Sequence, residues 1–307
     1  MRIAVIGAGG IGAPLGASLA KSGQDVIFVA RGAHLAEMRT NGLRVEGDRG
    51  TTHLDTVQAT DDPSTVGPVD AVLSCVKLWD LETSGRQVKP MIGPESIVIP
   101  LQNGIDASEA LSPILGAEHV LGGIAMVTGS ITAPGVVRQT GTHHSMIFGE
   151  LDGRLSARVS RFQEVCEAAG IDAVIPEDIQ VARWNKFIGL AAIAGLCAVA
   201  RQPLGVVRDD PDIAPLIVAS MQEVVDVGIA CGVGLGPAFV DNWMKIIEGL
   251  PSGLTPSMAV DLKAGNRLEL RWLTGKVVEL GRAHGVPTPV NGVIYGALKP
   301  YANGRSA

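Results

Sequence analysis

The first 31 residues constrain the fold more than any other stretch. Met1-Arg2-Ile3-Ala4-Val5-Ile6 is an apolar run, Gly7-Ala8-Gly9-Gly10-Ile11-Gly12 is glycine-rich, and Val26-Ile27-Phe28-Val29-Ala30-Arg31 is apolar again. Between them Pro14-Leu15-Gly16-Ala17-Ser18-Leu19-Ala20 is amphipathic and Gly23 is a stop signal. The order is strand, turn, helix, strand, as in a parallel βαβ unit. The GxGxxG spacing lets a backbone approach a pyrophosphate. Gly7 permits the tight turn, Gly9 removes a side chain that would block phosphates, and Gly12 lets the helix lie close to the strand. Gly10 and Ile11 complete the turn, and the helix N-terminus behind it offers N–H groups to an anion.

The end of the second strand bears on which dinucleotide binds. An Asp or Glu there accepts from a ribose 2′-hydroxyl, whereas a cation accommodates a 2′-phosphate. The strand ends Val29-Ala30-Arg31-Gly32, so a guanidinium stands where the acid would be. A guanidinium holds a phosphate in a forked, charge-assisted pair. The expected cofactor is NADP(H).

A chain of 307 residues has material for two domains, and 46% hydrophobic against 18% charged residues suits a well-packed globular protein. A net charge of −6 without a basic cluster argues against nucleic acid. No apolar run reaches the ~20 residues of a membrane helix, and the Ala/Gly-rich stretch Ile188–Arg201 has Lys186 just before it. A chain that starts directly in a strand, without a basic leader, is expected to be cytoplasmic. Cys75, Cys166, Cys197 and Cys231 lie far apart in apolar surroundings and read as reduced core thiols. His143-His144 reads as an adjacent pair in a strand, its rings on opposite faces, so no metal site is expected.

Gly42–Glu46 and Thr51–Asp55 flank a Gly47-Asp48-Arg49-Gly50 turn and predict a hairpin. Ala71–Val76 and Ser96–Leu101 are continuous apolar runs of the kind buried in parallel sheets, ending in Lys77 and in Gln102-Asn103-Gly104. Strands over Val120–Val127, Gly135–Thr140 and Met146–Phe148 follow, then a helix over Leu155–Ala169 stopped by Gly170. Ligands of open parallel sheets bind beyond the strands' carboxyl ends, where Gly7–Gly12, Arg31, Lys77 and Asn103 all fall. Past Ile175-Pro176 only helical patterns occur: Asp178–Ala200, Pro211–Cys231, Pro237–Glu248, Ser257–Ala264, Arg267–Ala283 and Pro289–Tyr301. The expected architecture is an α/β Rossmann-like domain over residues 1–176 and an all-α domain over 177–307. The cleft between them is the default substrate site.

In the helical half, Lys186 has Ala182, Leu190, Ile193 and Ala194 as helical neighbours, so its stem lies on an apolar face. A desolvated ammonium has a lowered pKa suited to a general acid; a lysine snorkelling from the same face is the plainer alternative. Glu269 reads as lying at the start of a long helix, where the dipole alone would favour a carboxylate. Ser257, after Pro256, has the position of a helix cap.

These residues together resemble the ketopantoate reductase (2-dehydropantoate 2-reductase) family, nearly end to end. The matching pieces are the glycine turn, Val76-Lys77, Leu101-Gln102-Asn103-Gly104-Ile105, Trp184-Asn185-Lys186-Phe187, Ser257-Met258 twelve residues before Glu269, and Glu279–Pro287. The resemblance implies a helical domain like that of 6-phosphogluconate dehydrogenase and NADPH-dependent reduction of a 2-oxo acid, in pantothenate biosynthesis. It implies Lys186 as general acid and Glu269 as partner to the substrate hydroxyl and the lysine. Asn103 would orient substrate and nicotinamide, Ser257 would bind the substrate's polar end, and Lys77 would contact the cofactor. The family usually presents Asn four and eight residues after the lysine; here Leu190 and Ala194 stand there. An apolar wall cannot supply those hydrogen bonds, which points to a less polar or bulkier substrate than ketopantoate. Two alternatives stay open: a β-hydroxyacid dehydrogenase-type oxidoreductase, and a non-catalytic NADP(H)-binding sensor. The apolar helix over Pro211–Cys231 leaves a homodimer open.

Overall fold

The computed structural model describes residues 1–305. Its chain divides into two compact units: Met1–Gln102 with Asp106–Ile179, and Asn103–Ile105 with Gln180 onward.

In the first unit the elements are β1 (Arg2–Ile6), α1 (Gly12–Lys21), β2 (Asp25–Val29), α2 (Gly32–Asn41), β3 (Leu43–Gly47), β4 (Thr52–Leu54), β5 (Gln58–Thr60) and β6 (Val69–Ser74). They continue with α3 (Leu81–Val88), β7 (Ile92–Pro100), α4 (Ala107–Leu115), β8 (Gly122–Met126), β9 (Gly129–Ala133), β10 (Val136–Gln139), β11 (Ser145–Gly149), α5 (Ala157–Ala168) and β12 (Asp172–Val174). The central sheet has the order β5-β2-β1-β6-β7, all parallel. The connection direction reverses between β1 and β6, which is where a doubly wound sheet leaves its ligand crevice. Both faces are covered, so Ile3–Ile6 of β1 and Ala71–Leu73 of β6 are continuous apolar runs; Ile3, Val5 and Leu73 are fully buried. Burying Phe28 of β2, also fully enclosed, is worth about 2 kcal/mol or more.

The predicted hairpin is present as β3 and β4, paired antiparallel. It joins β10 and β9 in a second sheet of order β4-β3-β10-β9, while β12-β11-β8 form a third. The His143-His144 pair is corrected: both residues precede β11 rather than lying in it. His144 is buried, its Nε2 is 2.9 Å from Ser18 Oγ, and burial together with the nearby Arg49 charge pushes its pKa down to about 4. No group of three potential metal-binding side chains occurs among the described residues.

The second unit contains α6 (Ile179–Ala200), α7 (Leu204–Asp209), α8 (Ala214–Ala230), α9 (Ala238–Gly249), α10 (Ser257–Ala264), α11 (Thr274–His284) and α12 (Pro289–Leu298). Small residues along α6 let other helices approach: a Cβ on Gly189 would lie 2.3 Å from the Trp243 ring, and one on Gly195 2.9 Å from Ile294. The long helix expected over Arg267–Ala283 is two pieces. Leu270–Trp272 is a 3₁₀ turn, and Leu273 (φ −105, ψ −109) breaks the path before α11 begins at Thr274. The helix expected from Pro211 begins at Ala214, because the Asp210 carboxylate accepts from the Asp212 and Ile213 N–H groups and caps a turn instead. No helix among the described residues is long and apolar enough to cross a membrane.

Candidate active site

The glycine turn leaves β1 with Gly7 at φ +97, its N–H donating to the Val29 carbonyl at 2.9 Å. A Cβ on Gly7 would stand 3.1 Å from the Cys75 backbone, a crowded contact, and the positive angle itself favours glycine. At Gly12 a Cβ would fall 2.2 Å from the Gly7 carbonyl oxygen and 2.8 Å from Val5, which is the close helix–strand approach read from the sequence. Gly9 differs: nothing lies within 4 Å of its Cβ position. Gly10 has a role the sequence did not announce, since its Cβ position is filled by the Gly129 backbone, 1.9 Å away.

Helix α1 starts behind Ile11 with no side-chain cap and no acid in its first turn. The N–H groups of Gly9, Gly10 and Ile11 donate to no protein group among the described residues. Orphan donors at an uncapped helix start, next to open space, fit the pyrophosphate of a dinucleotide. When bound, a reduced nicotinamide dinucleotide supplies hydride. Arg31 follows β2 as the residue before α2, is largely exposed, and pairs with Asp80 at 3.0 Å. Lys77, past the end of β6, is exposed with its ammonium 5.6 Å from the Trp79 ring centroid. Gln102, buried after β7, ties that strand's end to β6 by donating to the Ser74 and Val76 carbonyls.

The helical unit gathers a second group. Lys186 lies on α6, half-buried, and donates from Nζ to Asn103 Oδ1 at 3.3 Å. The two residues that follow Asn103 hold its segment in place. Gly104 (φ +91) packs so closely on Trp272 that a Cβ would be 2.9 Å from its carbonyl oxygen, and buried Arg183 donates to the Ile105 carbonyl. Glu269, 6% exposed, precedes the 3₁₀ turn and acts on Lys186 through its charge. Burial pushes the Lys186 pKa down to about 8 against the upward pull of Glu269.

The structure therefore brings Lys186, Asn103 and Glu269 together. Ser257 is the first residue of α10 and exposed; the cap position belongs to Pro256, and Ser257 makes no cap hydrogen bond. Leu190 is half-buried, and Ala194 is buried in the core of the helical unit.

A Rossmann-type unit with an open glycine turn, followed by a helical unit carrying a desolvated lysine beside a carboxamide, is the layout of a dinucleotide-dependent oxidoreductase. Comparison with known proteins narrows the class. The family model described as ketopantoate reductase PanE/ApbA matches residues 3–153, and its C-terminal counterpart matches residues 178–302. The 2-dehydropantoate 2-reductase of Mesorhizobium japonicum is 30% identical, over 94% of each chain. The crystal structure of 2-dehydropantoate 2-reductase from Geobacter metallireducens superimposes with a TM-score of 0.91 at 29% identity, covering 98% of this chain and 99% of that one. A D-mandelate dehydrogenase solved with NADH and anilino(oxo)acetate shares the fold, with a TM-score of 0.90 at 20% identity over 98% of each chain. The chain belongs to the ketopantoate reductase family. It is an oxidoreductase, of a family that reduces 2-oxo acids to hydroxy acids with a nicotinamide dinucleotide.

Proposed function

We propose that this protein reduces a 2-oxo acid to the 2-hydroxy acid with NADPH, with Lys186 as the general acid. The observation that carries the reading is the Lys186 ammonium, desolvated and oriented by Asn103. A ketone that accepts hydride develops alkoxide charge on its oxygen. An ammonium within hydrogen-bond reach stabilises that charge and delivers the proton, leaving a neutral amine that regains its proton from solvent. With a pKa of about 8, Lys186 is about nine-tenths protonated at pH 7. Glu269 opposes the desolvation and keeps the acid form populated. Gly7, Gly9, Gly10, Ile11 and Gly12 would hold the pyrophosphate, Arg31 the 2′-phosphate, and Lys77 a further part of the cofactor. Asn103 and Ser257 would hold polar parts of the substrate. Leu190 and Ala194, where the family presents amides, support a substrate less polar or bulkier than ketopantoate.

The test is a steady-state panel of 2-oxo acids with NADPH and NADH, ketopantoate serving as reference. Oxidation of neither cofactor with any acid would sink the proposal. Lys186→Ala is expected to lower kcat by about 10²-fold or more, the scale of a lost general acid. In the wild type, kcat/KM should fall as pH rises through about 8, where the ammonium is lost. A flat profile from pH 6 to 10 would remove Lys186 from the proton transfer.

A further inference from the structure

His34, on α2, is tied to two other segments of the first unit. Its Nδ1 is 3.0 Å from the Gly135 N–H and its Nε2 is 2.8 Å from the Ala8 carbonyl oxygen. The chemistry of the two partners fixes the ring. A backbone N–H can only donate, so Nδ1 carries the lone pair; Nε2 then carries the proton and donates to Ala8. Gly135 lies in the turn between β9 and β10 at φ +72, where a Cβ would be 2.7 Å from Glu37 of α2. The same hairpin supplies Gly129, whose carbonyl fills the space beside Gly10. The glycine turn is thus braced by the hairpin directly and through the imidazole.

The consequence follows from peptide geometry. In the trans Ala8–Gly9 peptide the carbonyl and the N–H point in opposite directions. Holding the Ala8 oxygen toward His34 turns the Gly9 N–H away from it. That N–H donates to no protein group among the described residues, and Gly9 has open space at its Cβ position. We infer that His34 is a positioning residue that presets the Ala8–Gly9 peptide so that the Gly9 N–H meets the dinucleotide pyrophosphate. The inference rests on the dinucleotide reading of the turn, and deepens it by naming what orients the donor. A donor set before binding does not have to be ordered by the ligand, and that lowers Kd.

NADPH and NADH share the pyrophosphate, so His34→Ala should raise the Kd of both alike, by about tenfold, in fluorescence titrations of the full-length protein. At saturating cofactor, kcat should change by less than about threefold, so that the effect falls on cofactor KM. His34→Gln keeps one donor and one acceptor on a single planar group and should recover most of the affinity. Unchanged Kd values in a folded His34→Ala protein, or weakening confined to NADPH, would overturn the role. The ring ¹⁵N shifts of the wild type give a measurement that needs no variant: an Nε2–H tautomer is expected, and an Nδ1–H tautomer overturns the assignment. Wild-type protein that binds neither dinucleotide would overturn the reading of the turn itself. Wild-type binding untouched by His34→Ala overturns only the positioning role.

Discussion

A single methyl group distinguishes two kinds of glycine in the turn after β1. At Gly12 an added Cβ meets the Gly7 carbonyl oxygen at 2.2 Å and Val5 at 2.8 Å, so backbone must move. Gly12→Ala is expected to cost about 2 kcal/mol or more in urea unfolding, as overpacking against backbone does. At Gly9 the same methyl meets no protein atom within 4 Å, and the residue is not among the positive-φ glycines. Gly9→Ala should therefore unfold within about 1 kcal/mol of wild type yet, on the proposed reading of the turn, bind NADPH at least about tenfold more weakly, because its methyl would meet the phosphates. Wild-type affinity in Gly9→Ala would show that the turn does not cradle a pyrophosphate. The spacing of the glycines was legible in the sequence because a GxGxxG run after an apolar strand has few other uses. The reason for Gly10 was not, since its contact is with Gly129, more than a hundred residues away. His34 was hidden for the same reason: no local pattern relates it to Ala8 and Gly135.

Helices of the second unit are secured at their ends by side chains from other helices. Glu223 of α8, buried, accepts from the Val290 and Asn291 N–H groups at 2.7 and 2.9 Å and from Asn291 Nδ2 at 2.7 Å. Those two backbone donors are orphans of the first turn of α12, so a carboxylate from α8 does the work of a cap and meets the positive end of the dipole. Glu223→Ala leaves the Val290 and Asn291 N–H groups without their acceptor, while Asn291 Nδ2 keeps the Ser220 carbonyl, and should destabilise the protein by about 2–4 kcal/mol in urea unfolding. Glu223→Gln should cost less, because one acceptor is retained. A loss below about 0.5 kcal/mol for the alanine variant would mean that water replaces the carboxylate. Elements of this kind were legible where one face is continuously apolar, as in β1, β6, α6 and α8. They were blurred where the backbone departs from a single path. Arg267–Ala283 has helical composition throughout, yet Leu273 breaks it, so Glu269 sits before a 3₁₀ turn rather than on a long helix. β5, β9 and β12 are three to five residues long and too short for periodicity to register.

At the scale of the whole chain, burial acts on proton binding in opposite senses in different places. Burial pushes the thiol of Cys166 in the first unit up to about 12, and that of Cys197 in the second up to about 11, from an ordinary 9.0. These thiols stay neutral and inert, as reduced core residues should. Their contribution to stability is fully present below pH 9 and is lost as pH rises toward 11–12, since the unfolded chain releases their protons first. Lys186 has the reverse sign. Its pKa falls from 10.5 to about 8, so unfolding takes up a proton between those values and stability gained from this group rises with pH. At pH 10 the two thiols release protons on unfolding while Lys186 takes up fewer, a net release of about one. That corresponds to a loss of about 1 kcal/mol of stability per pH unit from these three groups. The check is potentiometric: the proton release on unfolding at pH 10 should be smaller by between about one and two protons for a Cys166→Ala/Cys197→Ala protein than for wild type. Equal release from the two proteins would mean that both thiols titrate as freely in the folded chain as in the unfolded one.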